Sequence, residues 1–186
     1  TCWFSGTTGS VDFYANVVNG TYNTNSGILT YRETQPTVNA GSNQNTCNGS
    51  YDINPTVNCS DNVSFSKVSG SGSINASTGL VSGVGTNSSG TYRVTVTNGN
   101  CSATDDIIIY NRTPTTPSAS GAGTICVGGS RTLTASGSAA SGGFTYYLQT
   151  SPGGTSTSLS GSSRTVSPSS TTTYYFRARS SISGCW

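Results

Sequence analysis

The sequence predicts an all-β protein built of small tandem sandwiches stapled by disulfides. Three observations carry that expectation. Strand-like runs of roughly four to eight residues recur at short spacing between Gly, Asn and Ser clusters, the pattern of a sandwich or barrel. No stretch repeats its apolar residues with the period of an amphipathic helix. Six cysteines lie in a chain with no His and no CxxC pair, which reads as a disulfide framework in an oxidising compartment rather than a zinc site.

Composition narrows the function classes. Charged residues are 8% of the 186, against roughly 25% in an average soluble protein, and Lys67 is the single lysine. A net charge of +2, scattered along the chain, argues against a nucleic-acid partner. No basic run addresses an anionic membrane, and no stretch approaches the ~20 apolar residues of a membrane-spanning helix. The polar, small-residue bias invites a disordered reading. The alternation of β-branched and aromatic residues argues against it for most of the length. The chain begins at Thr1 without initiator Met or signal peptide, so we read it as a processed chain or a segment of a longer one.

The elements follow in order. Residues 11–18 (VDFYANVV) and 27–33 (GILTYRE) read as two strands joined by an Asn/Gly-rich turn. They belong to an N-terminal segment, 1–35, which is the tail of a preceding domain or a packed hairpin. Residues 62–70 (NVSFSKVSG) alternate Val63, Phe65 and Lys67 on one face. In TYRVTVTN (91–98), Tyr92, Val94 and Val96 face inward, and Arg93, Thr95 and Thr97 face out. Asn98-Gly99 is a strong turn signal, and DDIIIY resumes an antiparallel strand with Ile107 and Ile109 inward. The stretch NRTPTTPSAS (111–120) reads as a short extended linker, because its prolines cannot continue a central strand. SRTLTASGS and GGFTYYLQTSP are two further strands. TTTYYFRARS (171–180) then sets Tyr174, Phe176 and Ala178 against Tyr175, Arg177 and Arg179.

Residues 36–112 and 113–186 thus repeat one logic. Each has a cysteine ahead of its second strand, Cys47 or Cys126, and another after its Tyr-bearing strand, Cys101 or Cys185. The stretches TVNAGSNQNTC, SGTYRVTVTNGNCSATDDIII, TICVGGSRTLTASG and SPSSTTTYYFRARS resemble the tandem Ig-like (PKD-like) repeats of large Bacteroidota cell-surface proteins. Those include gliding-motility and other type IX-secreted adhesins. The resemblance covers about residues 36–186. It implies β-sandwiches, an extracellular setting and a role in adhesion or surface architecture, with no catalytic residues. The antibody pattern of a core Trp between two cysteines is absent.

The second repeat stops at Cys185-Trp186, where the first still has DDIIIY. A sandwich without its last strand exposes backbone groups and a strip of core. Three completions compete: the chain continues, its own start fills the gap, or another subunit donates a strand. Spacing predicts bridges Cys47–Cys101 and Cys126–Cys185, since domains of this size bury little core and need staples. Arithmetic then leaves Cys2–Cys59 as a third pair, or Cys2 bonded to another chain.

Candidate sites are few. Asp105 and Asp106 are weak calcium candidates, with Asp52 and Asp61 as conceivable helpers. Calcium takes six to eight oxygens and neighbouring strand residues point to opposite faces, so the pair more simply caps a strand end. Without His, the usual general base is missing, and no carboxylate pair suits a glycosidase. Lys67 could form an isopeptide crosslink, though its tip more simply reaches water at the sheet margin. Tyr147, Tyr175, Trp3 and Trp186 could stack on sugars, or merely cover sheet surface. Sequons at Asn19, Asn48, Asn62, Asn75 and Asn111 are sugar acceptors where the host has the enzymes.

The expected function is therefore non-enzymatic and without cofactor. It is a spacer or building block of a surface filament or adhesin, secreted, with copies of itself or adjoining domains as partners. The rival is a carbohydrate-binding module of a secreted polysaccharide-degrading enzyme, which would bind surface glycans through exposed aromatics.

Overall fold

A computed structural model describes residues 21–24, 27–30 and 35–186 apart from 61 and 100. The described residues form strands and no helix. Strands β1 (Thr21–Thr24) and β2 (Gly27–Thr30) make an antiparallel hairpin. The expected strand at 27–33 is seen over its described residues, Gly27–Thr30. Its partner lies where an Asn/Gly-rich turn was expected, because Thr and Tyr sustain extended backbone among the asparagines. The expected strand at 11–18 lies outside the described residues.

The first core is enclosed by a four-stranded sheet and several short strands. β4 (Gln44–Thr46), β7 (Asn62–Gly70), β10 (Ser88–Asn98) and β11 (Cys101–Asn111) form one sheet in the order β4-β11-β10-β7. β3 (Thr37–Asn39) pairs with β6 (Thr56–Asn58), and β5 (Tyr51–Asp52) and β8 (Ser73–Ile74) flank β9 (Leu80–Ser82). The hairpin of β10 and β11 is the frame. Tyr92 opposes Ile107, and Val94 opposes Asp105. Tyr92, Val94, Val96, Ile107 and Ile109 are all buried, as their alternation predicts. Each such side chain stabilises the fold by roughly 1.5–3 kcal/mol. Phe65, Ile53, Val81 and Val84 close the core from the other strands. The Tyr92 hydroxyl donates to the Ser71 carbonyl at 2.7 Å. Gly90 lies against that corner, where a Cβ would come within 2.3 Å of the Ser71 carbonyl oxygen, so glycine is required there.

The second core is thinner. β12 (Ser118–Ser120), β13 (Arg131–Ser136) and β15 (Ser163–Val166) make one sheet, and β14 (Phe144–Gln149) pairs with β16 (Tyr175–Ser180) in another. Ala135, Leu148 and Phe176 are its buried cluster, with Leu133, Tyr146, Val166 and Tyr174 partly buried against them. Phe176 and Ala178 face inward as expected.

The cysteine pairing differs from expectation. Cys47 bonds Cys185, with Cα atoms 5.2 Å apart, and neither the Cys47–Cys101 nor the Cys126–Cys185 bridge forms. The reason is geometric. β4 lies parallel to the far end of β11, opposite Ile109 to Asn111, and Cys47 continues past that end. Cys101 starts β11, ten residues away, which is about 34 Å along a strand, far beyond disulfide reach. Cys126 sits exposed on a loop, whereas Cys185 is buried against the first sandwich. Cys59 is also disulfide-bonded. The expected Cys2–Cys59 pair involves Cys2, which lies outside the described residues.

Candidate functional site

Two features stand out: a locked junction between the cores, and an open strand edge. The junction begins where β11 ends. Asn111 is buried and its side-chain amide donates to the Val84 carbonyl at 2.8 Å, so this sequon is not an accessible sugar acceptor. Arg112 then reaches both ways. Its Nε donates to Asn45 Oδ1 at 2.8 Å and its Nη1 to Ser141 Oγ at 2.6 Å, with the guanidinium 4.0 Å from the Tyr110 ring centroid. The Thr113 hydroxyl donates to the Cys47 carbonyl at 2.7 Å, and the Ser141 amide donates to Asn87 Oδ1. The linker itself is zipped down, because the Thr115 amide donates to Ala139 O at 3.0 Å and the Ala139 amide to Thr115 Oγ1 at 2.8 Å. The Cys47–Cys185 bond spans 138 residues of sequence, a closure worth about 5 kcal/mol in the chain-entropy model. The expected short extended linker, 111–120, is thus fastened on both sides, and its last residues, Ser118–Ser120, form β12 rather than linker.

The open edge belongs to β16. The Ser181 amide donates to Gly143 O at 3.0 Å, toward β14, while the Ser180 amide donates to Cys185 O at 2.8 Å, away from it. Strand alternation therefore turns the backbone N–H and C=O of Phe176 and Ala178 away from β14 as well. Among the described residues β14 is the one strand paired with β16. In the first sandwich the matching edge of β10 is covered by β11. Beside β16 lies a cleft of about 600 Å3, lined by Ile125, Cys126, Leu133, Val166, Tyr174 and Phe176. A second hollow is bordered by Pro114, Thr115, Ala178 and Trp186.

The candidate residues fall elsewhere. Asp105 and Asp106 point to opposite faces. Asp105 turns toward the core and accepts from the Ala40 amide at 2.8 Å, tying the end of β3 to β11. Asp106 faces out and takes two hydrogen bonds from Arg93, at 2.8 and 2.9 Å. That hydrogen bonding, joined by the guanidinium charge and opposed by slight burial, holds the Asp106 carboxyl below its ordinary value. Asp52 is exposed on β5, in a different sheet from both, and Asp61 lies outside the described residues. No group of three or more potential metal ligands occurs among the described residues. Lys67 is exposed and donates to the Gly72 carbonyl at 3.0 Å.

Of the aromatic candidates, Tyr147 and Trp186 do meet. Their centroids are 5.3 Å apart with planes tilted by 55°, and Arg177 and Arg179 lie 5.2 and 5.8 Å from the Trp186 centroid. The guanidinium groups thus lie against the indole by cation–π attraction. Tyr175 is half-buried on β16, and Trp3 lies outside the described residues. Sequence reasoning missed the junction residues Asn45, Asn87, Arg112 and Ser141. Their only signal was the Asn111-Arg112 step out of an apolar strand.

Residues 114–186 match the family model described as Ig-like domain, CHU_C associated. The second sandwich is thus an Ig-like domain, a fold that is typically non-catalytic. No curated protein matches the chain. No helix among the described residues is long and apolar enough to cross a membrane.

Proposed function

We propose that this chain is a mechanical building block of an extracellular surface filament or adhesin. Units join when a strand from a neighbouring copy or an adjoining domain is laid on the open edge of β16. The observation that carries this reading is the outward-turned backbone of Phe176 and Ala178 beside an apolar cleft. Unpaired edge groups over exposed core are a ready template for strand addition. The covalent junction favours the same role, since load applied along the chain meets a disulfide before it reaches the linker. Disulfides and an Ig-like domain suit secretion to the cell surface.

Ala178→Pro tests it. Proline removes the outward N–H and leaves the rungs to β14 in place, since these fall on the neighbouring residues. Electron microscopy of native material is expected to show ordered filaments that the variant cannot form. Filaments of unchanged length and number in the variant would refute strand addition at this edge. The Tyr147–Trp186 contact supports a weaker, carbohydrate-binding reading. That reading needs glycan-array binding that Tyr147→Ala abolishes.

A further inference from the structure

Cys126 holds, in the second sandwich, the place that Cys47 holds in the first. Cys47 comes after β3 and directly behind β4; Cys126 comes after β12, at the corresponding point before β13. Cys185 in turn corresponds to Cys101. Asn98 at the end of β10 opposes Cys101, and the Ser180 amide at the end of β16 donates to Cys185 O. The Cys47–Cys185 bond therefore joins the first kind of cysteine in one sandwich to the second kind in the sandwich that follows. That bond is a worked precedent within this molecule for what the Cys126 position does.

Cys126 itself carries no disulfide and is exposed. It lines the cleft beside β16, and its neighbour Val127 is 93% exposed. An accessible thiol flanked by a bare apolar side chain, in a chain that forms the Cys47–Cys185 cystine at the corresponding position, marks a contact awaiting a partner.

We propose that Cys126 is the attachment point for a further Ig-like domain of the 113–186 kind. That domain docks on the second sandwich as the second docks on the first, and bonds Cys126 through the cysteine that follows its own β16-type strand. Two thiols enter and one S–S bond forms. Two protons leave, and the two electrons reduce the disulfide of a thiol–disulfide oxidoreductase to its dithiol. The contact is head-to-tail, since the existing bond joins unlike positions, and head-to-tail contacts propagate into open fibres. It goes beyond strand addition and stands or falls separately, because it concerns the thiol rather than the β16 backbone.

The test is cystine mapping of native protein, alkylated with N-ethylmaleimide at harvest and digested without reduction. The Cys126 peptide is expected in disulfide linkage to a peptide whose cysteine closely follows an aromatic-rich strand. Cys126→Ser is expected to abolish that linked peptide while the Cys47–Cys185 peptide persists. A Cys126 peptide found alkylated, capped by glutathione or bonded to a second Cys126 would overturn the proposal. Loss of filaments in Ala178→Pro with the Cys126 linkage intact separates the two ideas.

Discussion

The two sandwiches begin alike and finish differently. Each opens with a short antiparallel pairing, β3 with β6 or β12 with β13, and each carries a Tyr-bearing strand, β10 or β16, paired to an earlier one. In the first, β11 then covers β10 and drives Ile107 and Ile109 between the sheets. In the second, β16 keeps an open edge among the described residues, and Ala135, Leu148 and Phe176 are the whole buried cluster. Among the described residues, one covering strand thus accompanies the larger buried cluster and is missing beside the smaller. The second sandwich is also tied to the first by the Arg112 hydrogen bonds and the Cys47–Cys185 bond, and we expect its stability to depend on them.

The sharpest way to break this contrast is to damage the first core. Ile109→Ala leaves a cavity in a closed site and is expected to cost about 2–5 kcal/mol, read by chemical denaturation. Leu148→Ala in the thin core is expected at or below the bottom of that range, since an open cleft nearby lets the site relax. Equal losses would mean the cores are equally tight.

A smaller effect sits at the Tyr92 corner. Burial pushes its phenol above the ordinary value. A raised folded pKa means the contribution is complete below the unfolded value of about 10 and is lost as pH rises through the folded one. Tyr92→Phe is expected to cost about 1 kcal/mol at neutral pH, from the orphaned Ser71 carbonyl, and to flatten the alkaline decline. An unchanged alkaline slope would contradict the assignment.

The smallest effect is expected from Asp106→Asn, because the Arg93–Asp106 pair is largely solvent-exposed. Its folded pKa is depressed, so its contribution exists above the unfolded carboxylate value and fades as pH falls through the folded one. An acid titration of stability is expected to differ only slightly between variant and parent, and only toward low pH.

Much of the frame could be read from residue order. Strict alternation placed Tyr92, Val94 and Val96 inward, Asn98-Gly99 marked the turn, and the isoleucines of β11 fixed its face. The bridges could not be read, because connectivity depends on where strand ends meet in space. Cys47 and Cys101 looked like partners by spacing, yet an eleven-residue β11 holds them at opposite ends. Alternation puts Asp105 and Asp106 on opposite faces, but the amide that Asp105 serves, at Ala40, lies 65 residues away. The junction escaped for the same reason: Arg112 looks like linker until Asn45 and Ser141 arrive beside it.

Hydrogen exchange on the Cys47→Ser, Cys185→Ser double variant tests most directly whether the second sandwich depends on the junction. Amides of β14 and β16 are expected to lose protection while those of β10 and β11 keep theirs. Protection retained in both sandwiches, or lost equally from both, would contradict that dependence.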